Sequence, residues 1–306
     1  MSSPRIVSLI PSGTEIVCGL GFEAHLVGRS HECDFPTSVG RLPVCSEPKF
    51  NIDGSSAELD RRVKKVLQNA LSVYKIHQDV LQRLQPDVIV TQAQCEVCAV
   101  SLADVEQAAC QLLDAAVQVV SLEPNGLTDI FRDIERVAQA LDAPDRGAYM
   151  VASMKERMAE VAWKARQAAS RPTVACFEWL DPVMAAGNWM PALVEMAGGH
   201  NLFGRADEHS SWLQWENVLA ADPEIIVLLP CGFGIERTRR ELRALTGRPG
   251  WASLKAVRNR HVYLTDGNQY FNRPGPRLVE SLQILAELFH PTLFHFGHQA
   301  KGWQPL

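Results

Sequence analysis

Six short runs of apolar and β-branched residues, each bounded by turn residues, constrain the fold of this chain most strongly. Continuous apolar runs of this length, alternating with stretches of helical spacing, are typical of parallel strands buried on both faces. The runs are RIVSLIP (5–11), PDVIVTQ (86–92), VQVVSLE (117–123), TVACFEW (173–179), PEIIVLLP (223–230) and HVYLTDG (261–267). Their alternation with helices predicts an α/β protein with parallel sheets.

A long helical region separates the first three runs from the last three. Apolar residues keep helical spacing from Leu127 to Leu141, and a second stripe of apolar residues extends from Met150 to Ala165. A chain of 306 residues is long enough for two domains, each with its own core. We therefore expect an amino-terminal α/β domain at 1–125, a connecting helical region at 126–170 and a carboxyl-terminal α/β domain at 171–306.

Charge and hydropathy exclude two classes of protein. The net charge is −5 and no basic block is present, which argues against a nucleic-acid partner. No stretch approaches the roughly 18 to 20 apolar residues that cross a bilayer, so membrane insertion is not expected.

The apolar run from Ile6 to Ile10 is too short for a secretory signal. We expect a cytoplasmic protein, or a periplasmic one if a signal has been removed.

Aromatic residues follow the predicted strands of the second half of the chain. Ligands of parallel α/β sheets bind beyond the carboxyl ends of the strands, and aromatic faces with polar neighbours suit a large flat ligand. The candidate ligand-binding residues of this half are Trp179, Asn188, Trp212, Phe233, Tyr270, Phe271, Asn272 and Arg273. Burial in the core is the alternative for each aromatic residue taken alone.

Cysteines also follow the predicted strands. Their thiolates would suit zinc or an iron–sulfur cluster if they met. The candidate metal ligands are Cys33, Cys95, Cys98 and Cys231, with His31. A single C-x-x-C is not a specific metal pattern, and small buried thiols also line packed loops. A metal or iron–sulfur protein, which could be an enzyme, is therefore the alternative to a ligand-binding protein.

The stretch RIVSLIPSGTEIVCGLGFEAHLVGRSHECDFP (5–36) resembles the amino-terminal lobe of the vitamin B12-binding family of periplasmic-binding-protein-like proteins with a helical backbone. This family also serves siderophores and haem. PDVIVTQ, the helical region, WENVLAADPEIIVLL (215–229) and HVYLTDG follow in the family's order, so the resemblance covers nearly the whole chain. It implies two Rossmann-like lobes with parallel sheets, joined by a long rigid helix, with the ligand in the cleft between the lobes.

The resemblance also implies a function and further site residues. It implies a non-enzymatic binding protein for a cobalamin-type ligand, either a corrinoid or another large metal chelate. Such a protein acts as a carrier or sensor, or as the solute receptor of an ABC transporter.

The resemblance also implies roles for individual residues. Glu216 lies in a segment that matches a permease-docking segment of the family. The ligand-facing residues implied in the first half are Ser12, Thr14, Arg29, His31 and Glu32. Ser12 and Glu15 also have the spacing of a capping box at a helix start.

Overall fold

The computed structural model describes residues 3–68, 73–92, 105–106 and 117–306. The chain divides into two compact units, and each is described by itself. Unit 1 comprises Met1–Gly54, Glu58–Pro124 and Thr128–Ser153. Unit 2 comprises Ser55–Ala57, Asn125–Leu127 and Met154–Leu306.

The strands of unit 1 form a parallel sheet and a small antiparallel pair. They are β1 (Ile6–Ser8), β2 (Leu26–Arg29), β3 (Ser46–Pro48), β4 (Tyr74–Ile76), β5 (Val88–Gln92) and β6 (Gln118–Leu122). The main sheet has the order β2–β1–β5–β6 and is parallel throughout, whereas β3 and β4 pair antiparallel. Strands β1 and β5 are buried along their whole length, as expected for a parallel sheet that is covered on both faces.

The helices of the first half of the chain are α1 (Pro11–Gly19), α2 (Ser56–Leu67), α3 (Gln78–Leu84), α4 (Leu127–Ala140) and α5 (Pro144–Ala165). Proline occupies the first position of both α1 and α5, where its fixed φ suits a helix and its missing N–H is not needed. Gly13 lets α1 pack directly on the sheet, because a Cβ at this position would lie 2.7 Å from Val90 Cγ1.

The strands of unit 2 form one mixed sheet. They are β7 (Thr173–Leu180), β8 (Val183–Ala185), β9 (His200–Asn201), β10 (Ser211–Trp212), β11 (Ile225–Leu228), β12 (Val262–Thr265) and β13 (Trp303–Pro305). The order is β10–β8–β7–β11–β12–β13, with β9 paired to β7. Strands β7, β11 and β12 are parallel, and β8, β10 and β13 pair antiparallel at the two sides.

Short helices connect the strands of unit 2. They are α6 (Met190–Met196), α7 (Trp215–Ala221), α8 (Ile235–Glu241), α9 (Arg243–Thr246), α10 (Lys255–Arg258) and α11 (Leu278–Phe289), with a π-helical turn at Gly267–Phe271. A buried cluster that includes Phe177, Leu228 and Leu245 packs against one face of the sheet. The indole rings of Trp215 and Trp251 stack in this cluster with their centroids 6.2 Å apart.

The prediction of an α/β fold with parallel sheets is confirmed. Each of the six apolar runs contains a strand, namely β1, β5, β6, β7, β11 or β12. The two stripes of helical spacing are α4 and α5, and the 22 residues of α5 give a helix about 33 Å long. Among the described residues, no helix is both long and apolar enough to cross a membrane.

A buried carboxylate joins the end of β6 to α4. Asp133 is 4% exposed, and its side chain accepts hydrogen bonds from the Glu123 backbone N–H at 2.9 Å and from Arg136 at 3.0 Å. Burial raises the pKa of Asp133 to about 6, although both hydrogen bonds act to lower it. The native protein therefore holds a proton here at pH values where an unfolded aspartate, with a pKa of about 3.9, has lost it.

We expect Asp133→Asn to weaken the pH dependence of stability. The contribution of Asp133 should be fully present below about pH 4 and lost as pH rises through about 6, with an amplitude of about 2 to 3 kcal/mol. Urea midpoints measured between pH 4 and pH 7.5 should therefore diverge between wild type and variant, with the variant gaining relative stability at the higher pH. If the urea midpoints of wild type and variant changed in parallel with pH, the pKa of Asp133 would not be raised in the folded protein.

Candidate functional site

The loop that follows β11 contacts the end of β7 at the carboxyl edge of the unit 2 sheet, and the loop after β12 joins it. The backbone N–H of Cys231 donates to the Glu178 carbonyl at 3.1 Å, and that of Asn268 donates to the Phe233 carbonyl at 3.1 Å. Parallel strands bring their carboxyl ends to one edge of a sheet. Backbone hydrogen bonds therefore link the end of β7 with the loops after β11 and β12, which carry most of the residues predicted in this half of the chain.

Two contacts fix the loop after β12 at this edge. Asn272 donates through Nδ2 to the Leu229 carbonyl at 2.9 Å. Gly267 lies against the loop after β11, where an added Cβ would be 2.4 Å from the Pro230 carbonyl oxygen. Only glycine permits this approach, so the two loops are held in close backbone contact.

A row of apolar side chains extends from the edge strand β10 to the loop after β11. Trp212 is paired with Met184, and Met184 is paired with Trp179. Directly opposed residues of antiparallel strands project from the same face of the sheet. The ring of Phe233 packs against that of Trp179, with the two centroids 5.2 Å apart. We call these four residues the aromatic row; Trp212 is 50% exposed, whereas Phe233 is buried.

The remaining predicted residues of unit 2 differ in exposure. Tyr270 is half-buried, and the guanidinium of Arg277 lies 5.4 Å from the centre of its ring. Phe271 and Arg273 are both buried. Phe271 offers its backbone carbonyl to the indole N–H of Trp189, which donates to it at 2.9 Å. A ligand contact through the ring of Phe271 stays a prediction.

The start of α1 contains two of the predicted residues of unit 1. In the described structure the helix begins at Pro11 without a side-chain cap, so the capping box expected from Ser12 and Glu15 is wrong. Ser12 instead lies inside the first turn because Pro11 takes the first helical position. Thr14 Oγ1 donates to Cys33 Sγ at 3.0 Å, and both side chains are buried.

The loop after β2 is fixed by the β3–β4 pair. His31 Nδ1 lies 3.0 Å from Ser46 Oγ, and its ring packs edge-on against Tyr74 with centroids 4.8 Å apart. Tyr74 in turn donates to Glu32 Oε1 at 2.8 Å. Burial, with a contribution from the Arg29 charge, lowers the pKa of His31 to about 4, so the imidazole is neutral at pH 7. Ser46 and Tyr74 could not be identified from the sequence, because their three-residue strands carry no periodic signal.

Arg29 hydrogen-bonds to the backbone of the loop after β2. Its two terminal nitrogens donate to the backbone carbonyls of Ser30 at 2.9 Å and Gly40 at 3.1 Å. These bonds hold the segment that carries His31 and Glu32 against the following turn. A direct contact between Arg29 and a ligand stays a prediction.

The cysteine cluster stays a prediction without support from the described structure. Cys33 is buried, and burial raises its pKa, which keeps the thiol protonated. Cys231 is half-buried beside Gly232. Cys95 and Cys98 lie outside the described residues. Within the described ranges, no three histidine, cysteine, aspartate or glutamate side chains are placed to hold a metal ion.

Glu216 lies in the first turn of α7 and is exposed. The neighbouring Trp215 is buried and donates through Nε1 to the Pro249 carbonyl at 2.8 Å, which anchors the start of the helix. The carboxylate of Glu216 is therefore presented to solvent from a fixed position.

Comparison with known proteins identifies the family. The model of the family "Periplasmic binding protein" matches residues 6–269. The chain is 25% identical over 295 residues to the uncharacterized ABC transporter substrate-binding lipoprotein YvrC of Bacillus subtilis, covering 95% of this chain and 81% of the relative. It is 24% identical over 292 residues to the vitamin B12-binding protein of Vibrio parahaemolyticus, covering 93% and 89%. These relatives do not support the cytoplasmic location expected from the sequence.

Solved structures show the same fold. The apo form of the periplasmic heme-binding protein RhuT from Roseiflexus sp. RS-1 matches with a TM-score of 0.70 at 22% identity, covering 95% of this chain and 99% of that one. The periplasmic vitamin B12 binding protein BtuF of Vibrio cholerae matches with a TM-score of 0.64 at 18% identity, covering 94% and 96%. The resemblance found in the sequence is confirmed, and the chain belongs to the periplasmic binding protein family.

Proposed function

We propose that this protein is the substrate-binding component of an ABC transporter and that its ligand is of the cobalamin type, a corrinoid or another large metal chelate. The observation that carries the proposal is the aromatic row at the carboxyl edge of unit 2. The names of the relatives support the same class, since they include vitamin B12-binding and heme-binding proteins. Binding requires no chemical step, so we assign the protein no enzymatic activity.

The dimensions of the aromatic row suit a broad flat ligand. Neighbouring strands lie about 4.8 Å apart, so Trp212 and Trp179 are separated by roughly 10 Å across β8. Phe233 packs against Trp179 with the ring centroids 5.2 Å apart. Phe233 itself is buried, so a macrocycle would lie on the accessible parts of Trp212, Met184 and Trp179, whereas a small sugar or amino acid would contact only part of them. The exposed half of Trp212 is apolar surface that such a ligand would remove from water.

The proposed role places the protein on the outer side of the cytoplasmic membrane. Family membership and the lipoprotein relative from Bacillus subtilis support this location. A carrier or sensor inside the cell would use the same ligand contacts without a permease. In the transporter role Glu216 contacts the permease, whereas in the carrier or sensor role it has no permease to contact.

Trp212→Ala should weaken binding of cyanocobalamin or hemin about thirtyfold, because loss of a central aromatic contact commonly costs about 2 kcal/mol. Calorimetry with both ligands measures the effect and also determines which ligand is bound. Trp163→Ala is the matched control, since Trp163 is 63% exposed on α5 outside the aromatic row. Affinity that is equal in wild type and in Trp212→Ala would place the ligand elsewhere.

Glu216→Lys should reduce stimulation of the cognate permease's ATPase activity in proteoliposomes by at least tenfold, while ligand affinity stays unchanged. The family resemblance implies that acidic residues of this segment dock onto arginines of the permease, so a lysine here would place like charges at the interface, which disfavours binding. Glu156→Lys, at an exposed position of α5, serves as the control. Full stimulation by Glu216→Lys would exclude Glu216 from docking.

A further inference from the structure

Residues 290–306, which we call the carboxyl-terminal segment, follow the stretch that the family model matches, since that match ends at residue 269. The segment is nevertheless part of unit 2. Its strand β13 pairs antiparallel with β12, and Trp303 lies opposite Thr265, the last residue of β12. The π-helical turn that carries Tyr270 comes directly after β12. The carboxyl-terminal segment is therefore placed beside the loop that joins the candidate site.

A buried carboxylate anchors the carboxyl-terminal segment to α11. Glu287 lies on α11 and is 6% exposed. Its Oε1 accepts hydrogen bonds from the backbone N–H groups of Phe296 and Gly297, and its Oε2 accepts one from Trp303 Nε1 at 2.9 Å. A carboxylate withdrawn from water needs such donors to offset its lost hydration. Both ends of the stretch from Phe296 to Trp303 are thus held at one point of α11.

Backbone hydrogen bonds connect this stretch to the turn that carries Tyr270. The Gly302 N–H donates to the His298 carbonyl at 2.7 Å, and the Gly302 carbonyl accepts from the Asp266 N–H at 2.9 Å. The Asp266 carbonyl accepts in turn from the Tyr270 N–H at 3.2 Å. The backbone position of His298 is therefore fixed relative to the backbone of Tyr270.

The side chain of His298 contacts the ring of Tyr270. The two ring centroids are 6.2 Å apart and the planes are inclined at 68°, which is an edge-on contact. His298 Nε2 lies 3.0 Å from Gln283 Oε1 on α11, and this hydrogen bond sets the orientation of the imidazole. Burial lowers the pKa of His298, so the ring is neutral at pH 7. An edge-on pair of rings at this spacing is a favoured arrangement.

α11 fixes Tyr270 from its first turn. The guanidinium of Arg277, which directly precedes the helix, lies 5.4 Å from the centre of the Tyr270 ring. Ser281 Oγ donates to the Tyr270 carbonyl at 2.9 Å. The ring of Tyr270 is half-buried, so part of its surface remains accessible at the carboxyl edge of the sheet. Contacts from Arg277 and His298 thus restrict the ring at a position where a ligand can reach it.

We propose that His298 is a positioning residue for ligand binding, because it holds the ring of Tyr270 in the orientation that contacts the ligand. The proposal rests on the proposed function. A side chain that is already ordered loses less conformational entropy when the ligand binds. The family match ends before His298, so family membership alone does not predict this role. The carboxyl-terminal segment is then a part of the binding site that acts through Tyr270 and does not itself contact the ligand.

A double-mutant cycle on the full chain tests the proposal, with calorimetry of whichever of cyanocobalamin and hemin the wild type binds. His298→Ala should weaken binding about fivefold, the effect of losing one edge-on aromatic contact. Tyr270→Ala should weaken binding about tenfold. Adding His298→Ala to Tyr270→Ala should cause no further loss, because no ring is left to position. His298→Phe keeps a ring against Tyr270 and should retain most of the wild-type affinity.

Fluorine NMR of protein labelled with 3-fluorotyrosine provides a readout without ligand. The chain has four tyrosines, and Tyr270→Phe identifies the resonance of Tyr270. His298→Ala should shift this resonance and leave those of Tyr74 and Tyr149 in place. His295→Ala is the matched control, because His295 is an exposed histidine of the same segment. It should change neither the affinity nor any tyrosine resonance.

Three outcomes would overturn the proposal. An equal loss of affinity from His298→Ala in wild type and in Tyr270→Ala would show that His298 does not act through Tyr270. Unchanged affinity in Tyr270→Ala would remove Tyr270 from the site, and the positioning role with it, while the proposed function stands. Failure of wild type to bind cyanocobalamin and hemin alike would overturn the proposed function and the ligand role of His298 together. An unshifted Tyr270 resonance in His298→Ala would overturn the positioning of the ring whether or not a ligand binds.

Discussion

The parallel pairing of β7, β11 and β12 is the constraint on which the candidate site of unit 2 depends. Their register aligns Phe177 with Leu228 and Leu228 with Leu264, so the three strands end at one edge. The loop after β11 can then hydrogen-bond to the end of β7, as Cys231 does with Glu178. Side chains from loops far apart in sequence are thus positioned by the buried core of the sheet.

One face of β7 and β8 packs on the buried core, and the opposite face carries residues of the aromatic row. Leu180 and Val183 point into the buried cluster beneath the sheet, where they pack with Trp215 and Trp251. Because successive residues of a strand alternate between faces, Trp179 and Met184 project from the opposite face. The core beneath the sheet therefore fixes the backbone that carries Trp179 and Met184, and these two side chains project away from it.

The fold could be predicted because its strands are buried on both faces and so appear as continuous apolar runs. The same reasoning located Trp179, Phe233 and Tyr270, since Trp179 ends such a run and the other two follow one. It missed Met184, because β8 has three residues and its partner β10 has two. Strands this short carry no periodic pattern, and only their pairing shows that Trp212 and Trp179 share a row.

Other site residues could not be predicted because local geometry determines their orientation. The π-helical turn at Gly267–Phe271 leaves Tyr270 half-buried and places Phe271 in the interior, although the two residues are adjacent in sequence. In unit 1, Ser46 and Tyr74 contact His31 only because β3 and β4 pair across 25 intervening residues. Contacts of this kind depend on tertiary packing, which single-residue patterns do not encode.

Hydrogen–deuterium exchange with and without cyanocobalamin tests the central claim most directly, because it reports where the ligand lies on the intact protein. The account predicts slower exchange on binding in the backbone of residues 183–188, 229–234 and 266–272. These segments carry Met184 and Phe233 of the aromatic row and the loops after β8, β11 and β12. Bound cyanocobalamin that leaves exchange in these segments unchanged, and slows it instead in α11 or at the amino-terminal edge of the sheet, would contradict the account.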